Sequence, residues 1–120
     1  MRALSSLFLF ACLLAAADNY SGKWSSSQND AEGTIQIQLA EPAVVTFTLR
    51  GQEVKTKVLT LKKGVSGIEI RYEFDLSGTR LISTLTGKIE GDTFEGKYQT
   101  TQAEGDGVVD NGTFTAAAKQ

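Results

Sequence analysis

Residues 68–77 alternate without a break: Ile68, Ile70, Tyr72, Phe74 and Leu76 interleave with Glu69, Arg71, Glu73, Asp75 and Ser77. A period of two sends apolar side chains to one face of an extended chain and charged ones to the other. A helix cannot use that pattern, so the segment must be a strand lying half on a core. The same period recurs in Ile35–Leu39, Val45–Leu49 and Leu81–Ile89. Weaker candidates are Tyr20–Ser27, Val54–Leu61, Phe94–Thr101 and Gly112–Ala118, which brings the predicted total to eight strands.

Turn chemistry tests the pattern. A two-residue turn on Ser77-Gly78 sets Asp75 against Arg80, Phe74 against Leu81 and Ile70 against Leu85. A turn on Gly91-Asp92 sets Lys88 against Glu95, Gly87 against Gly96 and Leu85 against Tyr98. A third turn, centred on Gly51-Gln52, sets Arg50 against Glu53, Leu49 against Val54 and Phe47 against Thr56. Each register matches apolar with apolar and opposite charges with one another. Pro42 and Lys62–Gly67 fall between strands, and residues 103–111 form a late loop rich in glycine and acid. Short sequential turns predict an all-β fold, an eight-stranded antiparallel up-and-down barrel that leaves no open edges.

The N-terminus reads differently. Met1-Arg2 precedes the apolar run Leu7–Leu14, and Ala15-Ala16-Ala17 offers a small-residue cleavage site before Asp18. Residues 1–17 are therefore predicted to be a secretory signal peptide, the run being too short to cross a bilayer, and 18–120 a single barrel domain. Secretion, extracellular or periplasmic, follows. The alternative is lipid anchoring through Cys12, with Leu9-Phe10-Ala11-Cys12 set against a lipobox. Cleavage removes the only cysteine, so the domain must rely on a continuous core instead of disulfides. Asn19-Tyr20-Ser21 and Asn111-Gly112-Thr113 match the N-glycosylation pattern, which matters only in a eukaryotic secretory pathway.

The opening of that domain, Asn19-Tyr20-Ser21-Gly22-Lys23-Trp24, resembles the Gly-x-Trp start of lipocalins, fatty-acid-binding proteins and avidins. The tails Gly91–Tyr98 and Asp110–Ala116 look similar to those of small secreted lipocalin-like barrels of bacteria. The resemblance implies a barrel whose closed end is plugged by Trp24, with Lys119 stacked on it where lipocalins use a late arginine. The chain departs from lipocalins in lacking a Thr-Asp-Tyr motif and any arginine after Arg80.

Function classes narrow by composition. The chain of 120 residues contains no histidine, which removes the usual general base and metal ligand. Its net charge of −2 gives no electrostatic case for nucleic acid. Glu69, Glu73 and Asp75 alternate outward, where Lys55, Lys57, Arg71 and Arg80 can neutralise them, so no carboxylate is set up for acid–base chemistry. No enzyme activity, metal or cofactor is predicted. Residues 104–111 carry oxygen ligands without the EF-hand spacing and read as a solvated turn.

The inward face leaves two readings. The candidate ligand-binding residues are Trp24, Phe47, Thr56, Tyr72, Phe74, Ser83, Tyr98 and Phe114, aromatic walls with a few hydroxyls that suit a small, largely apolar, uncharged or weakly polar ligand. No lysine or arginine points inward from the strongest strands, so a buried carboxylate ligand lacks a partner. The other reading is a barrel filled by its own side chains, acting through its surface as a protein-interaction or envelope-associated module.

Overall fold

A computed structural model describes residues 18–105 and 107–119. The predicted signal peptide, Cys12 and Asp106 lie outside the described residues. Nine strands form one antiparallel sheet: β1 (Asn19–Ser26), β2 (Glu32–Gln38), β3 (Val44–Leu49), β4 (Gln52–Lys55), β5 (Lys57–Gly64), β6 (Gly67–Leu76), β7 (Thr79–Glu90), β8 (Thr93–Gln102) and β9 (Val108–Ala118). No helix occurs among the described residues. The order is β4-β3-β2-β1-β9-β8-β7-β6-β5, and the sheet curls around its apolar face as a half-barrel. β1 and β9 pair along their length, Trp24 opposite Phe114.

The count of nine corrects the predicted eight. Val54–Leu61 reads as one strand in the sequence, but it divides at Thr56: β4 pairs with β3, and β5 pairs with β6. The Thr56 hydroxyl donates to the Val45 carbonyl at 2.6 Å, engaging the chain at the point where it leaves one partner for the other. β4 and β5 thus stand at opposite ends of the sheet order while being separated by one residue of chain. The late loop is also shorter than expected, because Val108–Asn111 belong to β9.

Two of the three anticipated registers are observed. Asp75 faces Arg80 and Ile70 faces Leu85 across β6–β7; Lys88 faces Glu95 and Leu85 faces Tyr98 across β7–β8. The β3–β4 hairpin differs by two residues, with Phe47 opposite Val54 and Leu49 opposite Gln52. Its turn is Arg50-Gly51, both at positive φ (54° and 79°). Ser77-Gly78 repeats this conformation at 53° and 86°. Such turns place glycine second, which fixes the turn one residue earlier than Gly51-Gln52. A slip of two preserves which face each side chain occupies, so the inward set survives the correction.

The interior has two parts. At one end Tyr20, Ile37, Val45, Ile70, Phe94 and Phe114 are almost wholly buried. Phe94 packs edge-on against Phe114 at 5.0 Å and Tyr20 at 5.6 Å between ring centroids. Gly87 and Gly96 face one another beside these rings. A Cβ on Gly87 would lie 2.8 Å from the Phe114 ring, and one on Gly96 only 2.0 Å from the Thr86 carbonyl oxygen. The strands approach too closely there for any side chain. At the other end the sheet surrounds an open volume.

Candidate functional site

That volume is a cavity of about 420 Å³. Its mouth is formed by Asn29 and Ala31 between β1 and β2, Arg50 in the β3–β4 turn, Ser77 in the β6–β7 turn, and Gln102 and Val109 flanking the β8–β9 loop. Its floor is Leu85 and the indole of Trp24.

Trp24, Phe47, Tyr72, Phe74, Ser83 and Tyr98, six of the eight sequence candidates, line this cavity together. Their rings form a connected wall. Trp24 stands at 90° to Phe47 and 88° to Tyr98, and Phe47 at 80° to Phe74, with centroids 5.1–6.2 Å apart. Two candidates lie elsewhere. Phe114 is packed into the filled end against Phe94, and Thr56 is committed to the Val45 carbonyl at the β4–β5 junction.

Trp24 is buried as expected, but its surroundings correct the expected pairing with Lys119. The Lys119 backbone bonds to Asn19, at the far end of β1 from Trp24. The indole N–H instead donates to the Thr48 carbonyl at 3.0 Å, passing over Gly33 on the intervening strand. A Cβ on Gly33 would come within 2.7 Å of that nitrogen, so the small residue is what lets the ring reach β3. Tyr20, two inward positions earlier, occupies the filled end.

A polar rung crosses the wall at one level. Tyr72 pairs with Ser83, Ser83 with Thr100, and Thr100 with Asp110, on four adjacent strands. The Ser83 and Thr100 hydroxyls are buried and bonded to each other at 2.5 Å. Burial pushes the Tyr72 phenol up to about 12, a hydrogen bond from Ser83 opposing part of the rise. Burial likewise holds the Tyr98 phenol far above its ordinary value, reinforced by its bond to Asp110 and by that carboxylate's charge. Both tyrosines are therefore neutral hydroxyl donors across the physiological range.

Asp110 is the residue that sequence reasoning placed elsewhere, in a solvated turn. It accepts from Tyr98 Oη at 2.9 Å, Ser26 Oγ at 2.6 Å and Asn29 Nδ2 at 3.0 Å, and it lines the cavity. The Ser26 hydroxyl in turn receives the Asn29 backbone N–H at 2.8 Å, so this one carboxylate fixes the β1–β2 loop at the mouth. The outward charges behave as expected where Arg80 pairs with Glu73 at 3.1 Å. No group of three metal-ligating acidic or sulfur side chains occurs among the described residues.

Compared with known proteins, the chain matches no family model, no curated protein and no solved structure.

Proposed function

We propose that this protein is a small secreted binding protein that holds a small, largely apolar ligand non-covalently in its interior, within a closed, lipocalin-like barrel. The observation that carries the reading is the cavity itself. A volume of about 420 Å³ falls within the 300–1,000 Å³ typical of ligand sites, and its lining combines a majority of apolar groups with a few convergent hydroxyls. Binding would be driven by desolvation of the aromatic wall, with the Tyr72–Ser83–Thr100 rung setting orientation. Closure is supported by the β4–β5 junction, where a single residue joins the two ends of the sheet order. The alternative of a filled barrel working through its surface draws no comparable support, since only the Phe94 end is packed solid.

Fluorescence titration with N-phenyl-1-naphthylamine, a neutral apolar dye, tests the reading. Saturable one-to-one binding is expected, weakened at least tenfold by Leu81→Trp, which adds bulk to the cavity wall. Binding that is absent, or indifferent to Leu81→Trp, would refute an interior site.

A further inference from the structure

We infer that the ligand is an organic cation, an alkylated ammonium with an apolar body; this rests on the interior-binding reading above and specifies its chemistry. Five aromatic rings, Trp24, Phe47, Tyr72, Phe74 and Tyr98, line one cavity, several of them at near right angles like the sides of a box. The face of an aromatic ring is electronegative, and a cation that has shed its water is held by several such faces at once. Beside them sits Asp110. Its three hydrogen-bond donors, Tyr98, Ser26 and Asn29, are all neutral, so they satisfy its oxygens without cancelling its charge. No lysine or arginine among the described residues forms an ion pair with it. A partly buried carboxylate without a counter-ion is costly, and a cationic ligand would supply the missing charge.

Arg50 is the other charged residue on the described lining. It is exposed in the β3–β4 turn, and β2 and β1 separate its hairpin from β9. It therefore marks the solvent side of the mouth, and the carboxylate and rings mark the wall. The same arrangement disfavours an anion, which would have to enter beside Asp110. Hydroxyls alone suit a neutral ligand; the carboxylate among them is what shifts the preference.

Two probes of matched shape isolate the charge: phenyltrimethylammonium and tert-butylbenzene. Isothermal calorimetry on the secreted protein should find the cation bound at least tenfold more tightly than the hydrocarbon. Asp110→Asn, which keeps the shape, removes the charge and leaves one oxygen to accept from Ser26 and Asn29 while the new amide N–H donates to a turned Tyr98 hydroxyl, should bring the two within about threefold by weakening the cation alone. Near-UV circular dichroism checks that this variant keeps its fold. Should it unfold, Phe47→Leu provides the second test, costing the cation more affinity than the hydrocarbon. Equal or tighter binding of tert-butylbenzene to the wild type would overturn the cation assignment and leave the interior site standing. Binding of neither probe would overturn both.

Discussion

Phe94 and Phe47 are the same residue in the two halves of the interior, and truncating each should have unequal consequences. Phe94 has no exposed surface and touches Tyr20 and Phe114 ring to ring. Phe94→Ala leaves a sealed void between strands that Gly87 and Gly96 already hold close. The expected cost is about 3–5 kcal/mol, the range for removing a buried aromatic with incomplete collapse. Phe47 is only partly buried and stands on the wall of an existing cavity. Phe47→Ala enlarges that cavity without sealing a new one. It forfeits roughly half the 1.5–3 kcal/mol transfer value of a phenylalanine plus part of its edge-on ring energy, about 1–3 kcal/mol in all. Urea unfolding followed by far-UV circular dichroism gives both values, read from midpoints at unchanged slope. If Phe94→Ala does not fold, Phe94→Leu and Phe47→Leu must keep the same ranking. A Phe47 truncation as costly as that of Phe94 would refute the division into a packed end and an open cup.

Other consequences follow from single positions. The Tyr72 phenol is raised in the folded state to about 12 from 10, so its contribution to stability is complete below pH 10 and is lost as pH climbs toward 12, a contribution on the order of a few kcal/mol. Absorbance at 295 nm and circular dichroism should therefore change together in alkali, and Tyr72→Phe should move that transition to higher pH. Ser77→Asn places the residue that best tolerates φ near +53° ahead of Gly78 and should stabilise by a few tenths to about 1 kcal/mol in thermal unfolding. Gly96→Ala should cost at least about 2 kcal/mol, because its Cβ would meet two backbone atoms within 2.5 Å, whereas Gly64→Ala, with no neighbour inside 4 Å, should stay within about 0.5 kcal/mol of wild type.

The sheet was largely legible from the chain because its inward face is written at period two and its turns name their own type. Ser77-Gly78 and Gly91-Asp92 each fixed a register outright. Gly51 did not, since moving the turn by one residue slips the register by two, which preserves facing and apolar matching, and only the preference for glycine in the second position distinguishes the choices. The β4–β5 break was hidden for a different reason. Val54–Leu61 has the local character of one strand, and it divides because the chain leaves β3 for β6 at Thr56, a tertiary event. The aromatic wall was found through parity, and the same parity assigns Tyr20 and Asp110 inward, in step with Trp24 and Phe114 respectively. Asp110 was misplaced because its glycine- and acid-rich neighbours carry the signature of a loop. Its role depends on Ser26 and Asn29, more than 80 residues away in sequence.

The central claim is that one end of this sheet encloses a space that a small molecule can enter. Carbon-13 methyl spectra of the isoleucine and leucine side chains, recorded while phenyltrimethylammonium or tert-butylbenzene is added, test it most directly. The methyls of Ile35, Leu49, Leu81 and Leu85, which line the cavity, should shift saturably, while those of Ile37 and Ile70 in the packed end stay in place. Shifts spread equally over both groups, or confined to exposed Leu59, would contradict it.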